Sequence, residues 1–261
     1  MSLLIYSVFC TEVFMSTGQA DLSAEPQVHQ WAREDYDKLA EFGLLPHDRE
    51  EATEGVAVDR RAPSSPRLYL WTSEEYYKLA DAGLFEGKRV ELIGGRIVEM
   101  SAMSRPHVRA VKRAVRVFEA AFGEGWFVQN QAPLNLDDVE PSSQPEPDVA
   151  VIEGDEDDYE DGHPRTAALV LEVSFTSLKY DRNKKGSLYA KARIRDYWVL
   201  NLQDRLLEVY RGPVPDASVP FWYSYADVLI LKEDELVTPL AKPDVVIPVK
   251  SLLPPRRKEQ V

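Results

Sequence analysis

The 261 residues are enough for one domain of about 200 residues and an additional segment, and the 44% hydrophobic content suits a globular core. The only cysteine, Cys10, excludes an internal disulfide and a cysteine-based zinc cluster. No apolar stretch approaches the roughly 20 residues that a transmembrane helix needs, so we expect a cytoplasmic protein without a membrane partner.

The charge of the chain restricts how it could bind nucleic acid. The formal net charge is −13, and residues 1–61 carry −7 of it. Phosphate binding requires positive potential, which the remaining residues do not provide on average. Any contact with DNA must therefore come from a local basic patch.

Residues 1–66 form an acidic extension that contains a partial copy of a later segment. The stretch 31–44 aligns with 71–84 at an offset of 40 residues, and both copies have the pattern of a capped helix. The first copy either packs on the core or on a partner, or remains a solvated acidic helix. Residues 50–66 indicate a linker to a second domain, which spans 67–261.

The second domain opens with a helix and a hairpin. A capped helix is predicted over residues 74–82. Residues 88–100 indicate two strands joined by a Gly94-Gly95 turn, which is a strong hairpin signal. Glu91 lies on the first strand, and the pattern allows it to face either a site or solvent.

A further helix begins at His107 and has two unlike faces. Apolar residues recur at helical spacing and predict one buried stripe: Val108, Val111, Val115, Phe118 and Phe122. Basic residues lie at the start of the helix and along its other face: Arg105, Arg109, Lys112, Arg113 and Arg116. This row is either a DNA-binding patch or an ordinary charged surface. Further strands are predicted over residues 126–136, where Gln131 points to the cleft, and over 245–253.

Two apolar strands each carry a carboxylate where a polar residue is unusual. Asp148 precedes the apolar run 149–152, and Glu172 follows the apolar run 168–171. Carboxylates at such positions lose part of their hydration, and two that converge are costly unless a cation or a proton lies between them. The alternative is that both residues only cap turns.

The order of these segments resembles a known family. The blocks are ELIGGRIVEM, His107, PEPDVAVI, LEVSFTSLKYDRNKKGSLYAKA and DYWVL. They resemble the bacterial Uma-two type restriction endonuclease family of the PD-(D/E)xK nuclease superfamily, over residues 68–253. The resemblance implies an α/β fold with a restriction-endonuclease-like core, in which helices flank a mixed β-sheet, here with an N-terminal helical extension. It also implies divalent-metal-dependent hydrolysis of DNA phosphodiester bonds.

The resemblance also implies a set of catalytic residues. Asp148, Glu172 and Lys185 form its centre, with Glu91 and His107 in support. Superfamily members usually place the lysine two residues after the glutamate, where this chain has Ser174. The DRxxK spacing assigns the lysine to position 185 instead, with Lys184 and Lys179 as substitutes.

The cofactor that follows is Mg²⁺, for which Mn²⁺ should substitute. Mg²⁺ prefers oxygen ligands, and its site keeps positions for water and for a substrate phosphate. Asp148 and Glu172 would each supply one oxygen, the Val173 carbonyl a third, and Glu91 a supplementary one.

Three functions remain open from the sequence. The first is a DNA endonuclease, which commonly acts as a twofold dimer when it cuts both strands. The second is a nuclease-like scaffold that regulates by binding DNA or protein, which the displaced lysine and the acidic charge favour. The third is a phosphodiesterase for RNA or small molecules.

Overall fold

The computed structural model describes residues 26–32, 35, 38–40, 43–44, 58–59, 67–160 and 162–256. The strands are β1 (Gln27–Val28), β2 (Val58–Asp59), β3 (Arg67–Leu68), β4 (Val90–Ile93), β5 (Arg96–Glu99), β6 (Trp126–Gln129), β7 (Val149–Glu153), β8 (Leu169–Ser174), β9 (Asp196–Asn201), β10 (Leu206–Pro215), β11 (Tyr223–Lys232), β12 (Leu236–Val237) and β13 (Ile247–Pro248). The α-helices are α1 (Ser73–Asp81), α2 (Arg105–Phe122), α3 (Leu178–Tyr180), α4 (Gly186–Lys191) and α5 (Val249–Leu252). A 3-10 helix covers Glu156–Tyr159, and a π-helical segment, Asp181–Lys185, joins α3 to α4.

A six-stranded mixed sheet forms the centre of the fold. Its strand order is β11-β10-β9-β8-β7-β6, and a second, antiparallel sheet has the order β1-β5-β4. In the central sheet β8 and β9 run parallel, and the other neighbouring strands run antiparallel. The parallel pair needs a crossover, which α3, the π-helical segment and α4 provide. The predicted mixed sheet flanked by helices is confirmed.

Alternating side chains of β7 and β8 divide the core into two layers. Val149 and Leu171 pack with the apolar face of α2, whereas Ala150 and Val170 pack on the opposite side with α4 and the hairpin. Because side chains alternate along a strand, Glu172 shares the side of Val170. The candidate carboxylate therefore faces the layer that contains α4 and the hairpin.

The predicted hairpin and first helix are confirmed, with small shifts in their bounds. Thr72 caps α1 and forms a capping box with Glu75. Gly94 and Gly95 connect β4 to β5 with φ values of 59° and 71°. Positive φ at both central residues is the requirement of a two-residue hairpin turn, and glycine meets it without strain.

The first copy of the repeat packs on the second. Trp31 lies with its ring centroid 5.5 Å from that of Trp71, and Leu39 is only 1% exposed. Both belong to a third apolar cluster, which also includes Leu79 of α1 and Leu92 of β4. Of the alternatives that the sequence left open, the described residues of this copy therefore support packing on the core. The domain boundary at 66/67 stays a prediction, and most of the linker lies outside the described residues.

Three sequence predictions about local structure were wrong. The strand predicted over 126–136 ends at Gln129, and the segment predicted as strand over 245–253 is mainly the helix α5 after the short β13. The buried stripe of α2 uses small residues, so Ala110 and Ala114 are buried while Val108 and Val115 are only half-buried.

Candidate active site

Strand pairing brings the two predicted carboxylates together. In the β7–β8 register Val149 lies opposite Leu171, so one further step places Asp148 opposite Glu172. The Asp148 backbone N–H donates to Glu172 Oε2 at 3.3 Å, and the Val173 N–H donates to Asp148 Oδ2 at 2.8 Å. Both side chains are buried, which favours a shared site over two separate turn caps.

Lys185 reaches this pair from the helical crossover. Its side chain is buried, and its Nζ donates to Glu172 Oε1 at 3.0 Å and to Glu91 Oε1 at 3.1 Å. Glu91 Oε2 lies 3.0 Å from the same nitrogen, but without hydrogen-bond geometry. The two substitute lysines differ, because Lys184 lies over the Phe221 ring and Lys179 is exposed. Of these three lysines, Lys185 is the one that points into the site.

His107 lies at the start of α2 and contacts the outer side of Asp148. Ser104 caps the helix, and His107 Nε2 is 2.9 Å from Asp148 Oδ1. Gln131 approaches the same oxygen, with Nε2 at 3.5 Å. Burial alone would lower the pKa of His107, but the hydrogen bond and the charge of Asp148 outweigh it and raise the pKa. The side chain is therefore biased towards its cationic form.

The structure adds site residues that the sequence interpretation missed. Tyr189 donates from its hydroxyl to Glu172 Oε1 at 2.8 Å, and Asp181 is buried beside the pocket with Ser177 Oγ donating to it at 2.6 Å. Glu146 also lines the pocket. A signal for two of them existed, since Asp181, Lys185 and Tyr189 follow one another at a spacing of four, which is one face of a helix.

The buried carboxylates repel one another. Burial raises the pKa of Glu91 to about 7, with the charge of Glu172 adding to the effect and Lys185 opposing it. Burial likewise raises the pKa of Glu172, and that of Asp181 to about 7. For Lys185 burial favours the neutral amine, but the charges of Glu172 and Glu91 prevail and raise its pKa well above the usual range. A cation is thus stabilised at the centre of this site.

Most of the predicted basic row lies on the surface of α2. Arg105, Arg109, Lys112 and Arg116 are exposed. Arg113 is half-buried, and its Nε donates to the Ser251 carbonyl at 3.0 Å. Arg113 therefore links α2 to α5, while the other four side chains face solvent.

The family can be read from the sequence profile that the chain matches. Residues 73–250 match the profile of the Uma2 family, whose description is "Putative restriction endonuclease". This match covers more than half of the chain. The chain belongs to the Uma2 family. The resemblance found in the sequence is thereby confirmed, and no functionally curated protein matches the chain.

A solved structure shares the fold of this Uma2 protein. It is a crystal structure from Anabaena variabilis, described as "a putative nuclease belonging to DUF820". The likeness covers 69% of this chain and 96% of that one, with 14% sequence identity and a TM-score of 0.50. At this identity the comparison supports the nuclease-like fold and carries no residue roles.

The Uma2 site offers oxygen ligands around a pocket of about 190 Å³. Within the described residues no three His, Cys, Asp or Glu side chains are grouped closely enough to hold a metal ion alone. Mg²⁺ is usually held by one or two carboxylates plus water and substrate phosphate, so the pair Asp148 and Glu172 fits this ion chemically. Glu91 lies in the same pocket, where its carboxylate contacts Lys185, and its role as a supplementary ligand stays a prediction. No helix in the described part of the chain is long and apolar enough to span a bilayer.

Proposed function

We propose that this protein is a divalent-metal-dependent endonuclease that hydrolyses DNA phosphodiester bonds. The observation that carries the proposal is the convergence of Asp148, Glu172 and Lys185 in one pocket, in a member of the Uma2 family. Mg²⁺ is the proposed ion and Mn²⁺ its substitute. When bound, the ion would polarise the scissile phosphate and lower the pKa of the attacking water.

Each side chain has a role that its contacts support. Asp148 and Glu172 would hold the ion, with the Val173 carbonyl as a further candidate ligand. Lys185 would stabilise the negative charge that develops on the phosphate, since its ammonium is fixed by two carboxylates and needs no reorganisation. Glu91 holds Lys185 in place. His107 would orient Asp148 through its hydrogen bond, and its raised pKa favours a positive charge on this side of the pocket.

The exposed row on α2 would bind the DNA backbone. His107 lines the pocket near the start of α2, and Arg109, Lys112 and Arg116 follow it along the helix surface. At about 1.5 Å per residue, Arg116 lies roughly 14 Å from His107 along the helix axis. That length corresponds to about four nucleotides of one DNA strand. The row is thus a suitable track for phosphates that flank the cleaved bond.

The deciding experiment compares metal binding and plasmid nicking in matched variants. We expect the wild type to bind Mg²⁺ in calorimetry and to nick plasmid DNA at low salt with Mg²⁺ or Mn²⁺ but not with EDTA. Asp148→Asn and Glu172→Gln should lose both, while Asp157→Asn, a change of an exposed acid, should lose neither. Nicking at the wild-type rate by both Asp148→Asn and Glu172→Gln would contradict the proposal.

A second candidate is a nuclease-like scaffold that binds DNA without cutting it. It is favoured by the Lys185 ammonium, which already pairs with the buried Glu91 and Glu172 where an ion would otherwise lie. DNA binding without calorimetric metal binding in the wild type would support the scaffold. Cleavage of RNA or of a small phosphodiester in preference to DNA would instead support a phosphodiesterase.

A further inference from the structure

Carboxyl groups outnumber basic side chains in the lining of the pocket, and each one that is ionised disfavours a phosphodiester. Five carboxylates line it: Glu91, Glu146, Asp148, Glu172 and Asp181. Of the basic side chains that line it, Lys185 contacts two carboxylates and His107 contacts a third. A phosphate that enters would meet carboxylates on several sides. Binding therefore requires a cation that is not already used by the protein.

Arg89 is a cation of this kind. It precedes β4, lines the pocket and is half-exposed. Its guanidinium forms no hydrogen bond or ion pair with any residue in the described ranges. Its backbone is fixed, because the Arg89 carbonyl accepts from the Met100 N–H at 2.8 Å and so closes the open end of the β4–β5 hairpin. With respect to the part of the chain that the structure describes, the hairpin thus presents an unpaired guanidinium from a fixed backbone position.

The electrostatic neighbours of Arg89 place its charge at the side of the pocket where Asp148 lies. Arg89 and Glu146 both line the pocket, and the charge of Arg89 partly opposes the rise that burial causes in the pKa of Glu146. The same charge acts on His107, which also lines the pocket and contacts Asp148. Arg89 therefore acts on groups beside the proposed metal ligand and not on the distant surface of α2.

We propose that Arg89 is the phosphate-binding residue of this pocket. Its guanidinium would bind a non-bridging oxygen of the scissile phosphate or of the next phosphate, in a charge-assisted and bidentate manner. This inference rests on the proposed nuclease function and names the residue that holds its substrate. Arg89 and α2 would then bind different phosphates: α2 would bind those that flank the cleaved bond, and Arg89 would bind the one in the pocket.

The test measures DNA affinity apart from cleavage. Arg89→Gln and Arg89→Lys are made in the Asp148→Asn background, and binding to a short DNA duplex is followed by fluorescence anisotropy at several salt concentrations. Lys88→Gln is the matched control, because it removes the same charge from an exposed neighbour that does not line the pocket. We expect Arg89→Gln to weaken binding about tenfold or more at low salt and to reduce the salt slope by about one.

Arg89→Lys and kinetic measurements on the cleaving protein show whether Arg89 acts through its charge, its geometry or a later step. Arg89→Lys should recover part of the affinity, because it keeps the charge but loses the bidentate geometry. In the cleaving protein, Arg89→Gln should raise KM more than it lowers kcat if the residue binds the substrate in its ground state. Equal binding by Arg89→Gln and Lys88→Gln, in a protein whose wild type still nicks plasmid, would overturn the role of Arg89 alone. A wild type that neither binds nor nicks DNA would overturn the nuclease proposal as well.

Discussion

Lys185 is the residue on which the geometry of the site depends. It is 1% exposed and lies between Glu91 and Glu172, which are also buried. Burying three charges is costly, and a buried ion pair gives little net stability compared with apolar residues of the same shape. Its presence at the centre of a pocket is therefore better explained by chemistry than by stability.

Removing the lysine should affect stability and activity separately. Lys185→Met leaves two buried carboxylates without their cation, so we expect the free energy of unfolding to fall by about 3–5 kcal/mol. Adding Glu91→Gln removes one of these carboxylates and should restore part of the stability. It should not restore nicking. Urea denaturation measures the stability of the variants, and the plasmid assay measures their nicking. Nicking by the double variant would show that Lys185 has no catalytic role.

Two buried tyrosines allow a paired prediction. The Tyr189 hydroxyl donates to Glu172, so Tyr189→Phe should cost about 1–3 kcal/mol and lower the nicking rate by misplacing the carboxylate. The Tyr180 hydroxyl is buried without a hydrogen-bond partner among the described residues. Tyr180→Phe should therefore leave the free energy of unfolding unchanged or raise it by up to about 1 kcal/mol. Thermal and urea unfolding of both variants provide the comparison, and equal losses would argue against the bond to Glu172.

The sequence predicted some of these residues and not others for a physical reason. Asp148 and Glu172 could be recognised because a carboxylate at the end of an apolar strand conflicts with its surroundings. Asp181 lies in a run of charged residues, DRNKK, whose composition indicates a solvated turn. Its spacing from Lys185 indicates a shared helix face, but its burial follows from the tertiary position of the π-helical segment, which the sequence pattern does not reveal.

At the scale of elements, the π-helical segment determines which side chains meet the strands. It covers Asp181–Lys185 and joins two short helices, and such wide turns are frequent at functional sites. Both end residues of the segment are buried, and the intervening Arg182 pairs with Glu208 on β10. The side chains of Asp181 and Lys185 thus point into the site, while Arg182 between them holds the segment on the sheet.

The hairpin that carries Glu91 is supported from behind by the N-terminal repeat. Leu92 faces the third cluster with Leu39, whereas Glu91 on the alternate side meets Lys185. We expect Leu39→Ala to lower the free energy of unfolding by about 2–5 kcal/mol because it leaves a cavity in this cluster. Lys38→Ala, at an exposed neighbouring position, should change it by less than about 0.5 kcal/mol.

The variants Leu39→Ala and Lys38→Ala also test whether the N-terminal extension packs on the core. Chemical denaturation of the full chain gives the free energy of unfolding of both variants. If Leu39→Ala leaves it unchanged, the extension does not pack on the hairpin. The sequence could show that residues 31–44 repeat residues 71–84, but not where the copy goes. The sequence of an amphipathic helix shows which of its faces is apolar, but it does not show which surface of the protein packs against that face.

For the whole molecule, the net charge of −13 opposes self-association except where charged side chains are few. The outer edge of β11 is such a place. Within the described ranges no strand pairs with that edge, and it exposes Val228 (48%), Leu229 (48%) and Ile230 (60%). Long apolar edge strands tend to pair with another chain. The homodimer expected from the sequence therefore has a candidate interface.

Twofold symmetry restricts how two copies of β11 could pair. In an antiparallel pair with a twofold axis one residue faces its own counterpart, and with Leu229 on the axis Val228 lies opposite Ile230. An axis at Ile230 would place Asp227 opposite Glu233, and like charges in that arrangement are destabilising. Of these two registers, we therefore expect the one centred on Leu229.

This register predicts the effect of a single charge. Leu229→Lys would bring two ammonium groups together at the axis, so the variant should be monomeric in multi-angle light scattering at concentrations where the wild type is dimeric. Leu236→Lys is the control, because it places the same charge at an exposed apolar residue of β12, which pairs with β13 and not with β11. A wild type that is monomeric at all concentrations, or a control that dissociates equally, would contradict pairing through β11. With such a dimer the two pockets would belong to one continuous sheet, and cutting both strands of a duplex would then require both copies.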